Sequence, residues 1–157
     1  VVLAAAGGGS CKVVHFVRHA QAESNVAAAE RGHSAYRDET WFDAFLTDHG
    51  KQQAIKLGFE NSEKLLESQL VVCSPLSRAL QTACLMHQSA TEIANLSTDV
   101  KFSVPLELVD LCRERLGVNP CDRRRSIAEI MDVHESILES SPFSSIETSE
   151  CHHDLVD

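Results

Sequence analysis

Short apolar runs alternate with helix-patterned text along this chain, and that alternation restricts its fold more than any other feature. Lys12 to Val17 reads KVVHFV, a β-branched and aromatic run after a glycine-rich stretch, and it predicts a buried strand. From Leu46 the text is LTDHGKQQAIKLGF, where Thr47 or Asp48 can cap a helix whose inward face is Ala54, Ile55, Leu57 and Gly58. Gln69 to Cys73 predicts a second strand. Ser74 is then expected to cap a helix opening on Pro75, with Leu76, Ala79, Leu80, Ala83 and Leu85 at helical spacing. Val100 to Val104 is a third strand candidate, ended by Pro105, and Ser126 to His134 reads as a further helix. Ser140 to Asp157 is rich in serine and acid and carries little pattern. Strands alternating with helices imply an α/β fold with a mainly parallel central sheet flanked by helices. Such sheets present their ligand sites at the carboxyl ends of the strands.

The chain's 157 residues suffice for one hydrophobic core, and no apolar run approaches the length of a membrane-spanning helix. A net charge of −9 argues against a nucleic-acid binder, which needs clustered Lys and Arg to neutralise phosphates. The six cysteines, Cys11, Cys73, Cys84, Cys112, Cys121 and Cys151, form no CxxC pair and show no regular spacing. Most sit in apolar or helical text, which favours buried reduced thiols and a cytoplasmic or other reducing compartment. The opening VVLAAAGGGS has neither the charged nor the long apolar region of a signal peptide. Residues 1–11 are therefore expected to be a disordered or non-native tail, with the fold confined to 12–157.

Arg18 and His19 follow the first strand directly, where a parallel sheet presents groups to a ligand. Alone, a polar pair at a strand end is usually just solvated. The segment SPLSRALQTA after the second strand adds Arg78 on the first turn of its helix, close to a helix N-terminus that favours anions. Two guanidiniums and an imidazole at two strand ends are what a phosphoryl site needs. The run Arg123, Arg124, Arg125 can be read as a solvated face or as further anion-binding groups. His15, His33, His49 and His87 are expected to pack or face water. Cys151, His152, His153 and Asp154 are adjacent in sequence, so their side chains point apart and no metal site is expected.

With these residues in hand, the chain resembles the histidine phosphatase superfamily, the phosphoglycerate mutase-like proteins. Four ordered segments carry the resemblance across roughly residues 12–147: VRHAQAESN, LTDHGKQQA, SPLSRALQTA and LCRERLG. It implies a phosphoglycerate mutase-like fold and a phosphomonoester phosphatase working through a phosphohistidine. His19 would be the nucleophile, Arg18, Asn25 and Arg78 would bind the phosphoryl oxygens, and Glu114 would donate a proton to the leaving alkoxide, without cofactor or metal. The substrate would be a small phosphorylated metabolite or a phosphoprotein. The triple-Arg run resembles a basic segment that in mutases holds the distal end of a bisphosphorylated substrate.

Two departures stand out. Ala20 replaces the usual Gly after the histidine, and no later histidine follows a late apolar strand as the family's second pocket histidine does. The resemblance therefore implies a domain whose C-terminal part is missing, with poor turnover and self-association through an uncovered sheet edge. Two other readings stay open: mutase-like phosphoryl transfer, and a catalytically silent protein that binds phosphorylated ligands or partners.

Overall fold

The computed structural model describes residues 2–6, 12–96, 102–113 and 119–149. Among them, β1 (Val2–Ala6), β2 (Lys12–Phe16), β3 (Leu70–Cys73), β4 (Val104–Val109) and β5 (Phe143–Ser149) form one sheet in the order β2-β1-β3-β4-β5. The strands β3, β4 and β5 are mutually parallel, and β1 is antiparallel to both β2 and β3. The helices are α1 (Glu23–Arg31), α2 (Asp48–Glu60), α3 (Ser62–Leu66), α4 (Ser77–Asn95), α5 (Ile127–Val133) and α6 (Glu135–Glu139). The α/β class is as expected, with a parallel three-strand section flanked by helices. Among the described residues, no helix is long and apolar enough to cross a membrane.

The core is built on β3, β4 and α4. Val71, Cys73, Val104, Leu106 and Leu108 alternate along the two strands and are buried against Leu80, Ala83, Met86 and Ala90 of α4, with Ile130 and Leu138 closing the cluster. On its other flank α4 meets α2 so closely that a Cβ on Gly58 would stand 2.1 Å from the Met86 carbonyl oxygen. Glycine is required there by helix contact. Ala54 and Gly58 are buried at this crossing as expected, whereas Ile55 is turned outward.

Several expectations are corrected. Val2–Ala6, set aside as tail, is the strand β1 between β2 and β3. Its insertion leaves β2 as an edge strand, and the strand expected to be buried is instead exposed on both faces, with Val13 at 51% and Val14 at 45%. The third strand does not stop at Pro105 but runs through it, and residues 97–101 lie outside the described set. Between Val104 and Leu106 of β4 the register of β5 advances from Phe143 to Ile146, three residues against two. Pro105 thus occupies the irregular step of the ladder, where its missing N–H is tolerated. The same step brings Phe143 and Ile146, three apart, onto the core, which is why β5 shows no alternation in sequence. Finally, α4 starts at Ser77, with Ser74, Pro75 and Leu76 in the lead-in. Ser126 does cap α5, accepting from the Glu129 N–H while the Glu129 carboxylate accepts from Ser126.

Candidate active site

Two antiparallel pairings in series, β2 on β1 and β1 on β3, leave β2 and β3 pointing the same way. Their carboxyl ends therefore open on one side of the sheet. Arg18 and His19 leave β2 there, and Ser74–Leu76 lead from β3 into α4, whose first turn carries Arg78. The structure brings Arg18, His19, Asn25 and Arg78 around one cleft of about 200 Å³. His33, Tyr36, Asn119, Cys121 and Asp122 also line it. Glu114 lies outside the described residues, as do Cys11 and the Cys151–Asp154 cluster.

The loop that carries His19 is held from three sides. The Ala20 N–H donates to Thr82 Oγ1 at 3.1 Å, and that hydroxyl donates onward to the Arg78 carbonyl at 2.7 Å, tying the loop to α4. The Gln21 N–H donates to Gln53 Oε1 at 3.0 Å, and the Thr47 N–H donates to the Gln21 carbonyl at 3.1 Å. Thr47 also caps α2 by accepting from the Gly50 N–H at 3.0 Å. A Cβ on Gly50 would stand 2.1 Å from the Gln21 carbonyl oxygen, so only glycine lets this backbone lie on the first turn of α2. The LTDHGKQQA segment thus works as the bed of the histidine loop, with Thr47, Gly50 and Gln53 each touching Gln21.

His19 Nδ1 lies 2.7 Å from the Ala20 carbonyl oxygen. A carbonyl only accepts, so Nδ1 carries the proton and the neutral ring has its lone pair on Nε2. Asn25 accepts from the Ala22 N–H through Oδ1 at 2.9 Å, closing the N-terminus of α1, and its Nδ2 donates to the Tyr36 hydroxyl at 3.3 Å. Arg18 is exposed at the mouth. Arg78 is buried, with Nη2 donating to Asp122 Oδ1 at 2.9 Å and Nη1 to the Cys121 carbonyl.

Other charges fall out differently from the sequence reading. The N-terminus of α4 is not an open seat for an anion. Asp43 fills it, accepting from the Ser77 N–H and the Ser77 hydroxyl at 2.7 Å each. Asp43 holds φ +44°, a left-handed conformation that Asp tolerates better than most residues, and it is fully buried. Because the Ser77 hydroxyl proton goes to Asp43, His134 Nε2, 2.8 Å away, must donate to Ser77 Oγ. Burial lowers the His134 pKa, partly offset by the Asp43 charge. The triple-Arg run does not form one patch: Arg123 is exposed and Arg124 and Arg125 are half-buried. Arg123 pairs with Glu39, Arg124 with Asp110 through contacts of 2.7 and 3.1 Å, and Arg125 with Asp43.

The histidines also divide. His33 lines the cleft, its ring edge-on to Tyr36 at 5.1 Å, whereas His87 packs fully buried beside Phe143. The free thiols Cys73, Cys84 and Cys121 are buried and Cys112 is exposed; burial raises Cys73 to about 12 and Cys121 to about 11. Among the described residues, no group of three or more His, Cys, Asp or Glu is placed to hold a metal ion. Sequence reasoning missed Tyr36, Asp43 and Asp122. Asp43 and Asp122 had no local signal, because the Arg each one pairs with lies 82 and 44 positions away.

An imidazole whose Nδ1 faces a carbonyl, sharing a cleft with two guanidiniums at parallel strand ends, defines an α/β protein with a cleft suited to an oxyanion. Comparison with known proteins makes the class specific. Residues 14–100 match the family model of the histidine phosphatase superfamily (branch 1). The chain belongs to that superfamily. A "Phosphoglycerate mutase-like protein" of Arabidopsis thaliana is 38% identical over 156 residues, covering 88% of this chain and 56% of the relative. "Phosphoglycerate mutase-like protein 1" of the same plant is 33% identical over 158 residues, covering 89% and 54%. The chain thus spans about half the length of these curated relatives. No solved structure matches it.

Proposed function

We propose that this chain carries the phosphoryl-accepting site of a phosphomonoester phosphatase, with His19 as nucleophile. The observation that carries the reading is the cleft that His19, Arg18 and Arg78 line together, with the Nδ1 proton of His19 engaged by the Ala20 carbonyl. Nε2 attacks phosphorus as the ester P–O bond breaks. The Ala20 carbonyl then stabilises the positive charge that the phosphorylated ring acquires. Arg18 and Arg78 oppose the charge on the equatorial oxygens, and Asn25 bounds the cleft through its amide. Glu114 is the proton donor to the leaving alkoxide, and water attack releases phosphate and returns the neutral ring.

Hydrolysis is favoured over mutase-like transfer by the state of the Arg run. A second phosphate at the distal end of a substrate would need available cations, and Arg124 and Arg125 already hold the little-exposed carboxylates of Asp110 and Asp43, leaving the exposed Arg123–Glu39 pair as the one that could open. The substrate proposed is a small phosphorylated metabolite or a phosphorylated side chain. The buried free thiols support a reducing, cytoplasmic setting. Incubation with p-nitrophenyl phosphate and rapid quench in base, followed by mass spectrometry, should find a base-stable, acid-labile phosphoryl group on His19. Labelling that persists unchanged in His19→Ala would overturn the assignment.

A further inference from the structure

We infer that Asp122 is a positioning residue of this site: it acts through Arg78, setting the orientation in which that guanidinium meets a phosphoryl group. The inference rests on the reading of Arg78 as a phosphate ligand. It is carried by the burial and the wiring of the pair. The side chains of Arg78 and Asp122 are 3% and 8% exposed, and their Nη2–Oδ1 contact is 2.9 Å. Two successive residues of one tight turn, Pro120–Asp122, grip the guanidinium, Cys121 through its carbonyl at Nη1 and Asp122 through its carboxylate at Nη2. An arginine side chain without such contacts spreads over many rotamers, and one held at both terminal nitrogens is confined to few.

The gripping group is itself fixed. Asp122 Oδ2 accepts from Asn119 Nδ2 at 3.2 Å, so both carboxylate oxygens are engaged. The residues that follow fasten the turn to three other parts of the fold: Arg123 to Glu39, Arg124 to Asp110 after β4, and Arg125 to Asp43 before α2. Arg78 therefore takes its place from a strap, Asn119–Arg125, whose position is set by ion pairs outside the cleft. The sequence suggested a basic segment that binds substrate; the geometry points to a segment that prepares the residue that does.

This arrangement predicts a split between charge and geometry. Asp122 stands beside the anion site, so its charge opposes phosphate binding, while its oxygens keep Arg78 in line. Asp122→Ala should lower kcat for p-nitrophenyl phosphate on the order of 10–10²-fold, the size of effect that misplacing a catalytic-site group produces. KM should move much less, because the lost alignment and the lost repulsion act in opposite directions on binding. Asp122→Asn keeps an acceptor oxygen and should recover most of the kcat loss. In an Arg78→Ala background, Asp122→Ala should change kcat by no more than about twofold, because its effect passes through Arg78.

Folding of every variant is checked by circular dichroism melts, and site integrity by the thermal shift that inorganic phosphate produces. If the parent chain lacks either a phosphate-dependent shift or turnover of p-nitrophenyl phosphate, the proposed function fails and this inference with it. If the parent shows both, but Asp122→Ala is equally damaging with and without Arg78, or Asp122→Asn is as impaired as Asp122→Ala, the inference alone is refuted.

Discussion

His87 offers the most direct test of how the core is assembled. Its ring is 0% exposed in the middle of α4. Nδ1 bonds the Ala83 carbonyl at 2.9 Å, and Nε2 is a buried nitrogen without a hydrogen-bond partner among the described residues. Burial pushes its pKa from 6.5 down to about 4, with the Ala83 contact only partly opposing. The unfolded chain thus binds a proton near pH 6.5 that the folded chain refuses until about pH 4. Stability is unaffected above about pH 7 and falls as pH drops through that window. With those two pKa values, the loss between pH 7.5 and pH 5 is about 2 kcal/mol. His87→Leu removes the titration and the unpaired nitrogen together. At pH 7.5 the variant should lie within about 1.5 kcal/mol of the parent, the lost Ala83 contact and the relieved nitrogen acting in opposite directions. At pH 5 it should be more stable relative to the parent than at pH 7.5, by about 2 kcal/mol. Urea unfolding of both chains at several pH values measures this. His134, also lowered by burial, and the carboxylates titrate alike in both chains and cancel in the difference. Parallel stability–pH curves for parent and variant would refute the argument.

Gly50→Ala forces a methyl toward the Gln21 carbonyl, 2.1 Å from the ideal Cβ, so the histidine loop or the first turn of α2 must shift. A destabilisation of about 1–3 kcal/mol in urea is expected, with weaker phosphate binding because the moved backbone adjoins His19. The two ends of the Arg run should separate cleanly: Arg123, 49% exposed in its pair with Glu39, should be worth less than about 1 kcal/mol on substitution by Ala. Arg125→Ala, which leaves the fully buried Asp43 without its cation, should cost about 3 kcal/mol or more. Equal losses for these two variants would show that the buried carboxylate does not depend on Arg125.

The sequence made the carboxyl ends of β2 and β3 legible because each strand is followed at once by a polar, helix-starting motif. His19 and Arg78 could be assigned to one cleft without knowing the sheet order. The neighbours of those strands were harder to read. β1 is a run of Val, Leu and Ala whose low complexity reads as a tail, and only pairing with β2 and β3 gives it a place. β5 hides its two core residues behind a register step opposite Pro105, so a search for strict alternation finds nothing. Burial of β2 is not legible in the sequence because it depends on what packs over the faces of a strand, which composition does not encode.

The Arg123–Arg125 run shows the same limit for charge. Three like charges in a row read as one patch, since sequence counts them together. Residues 123–126, however, are not helical, and at extended dihedrals successive side chains project to different sides. Arg123 reaches Glu39 before α2, Arg124 reaches Asp110 at the end of β4, and Arg125 reaches Asp43 beside the first turn of α4. The carboxylates that answer them are far away in sequence, the Arg123 and Arg125 partners by 84 and 82 positions. No local pattern could announce such pairs. Once they form, the run is divided among three carboxylates, and Asp122, which precedes it, holds Arg78.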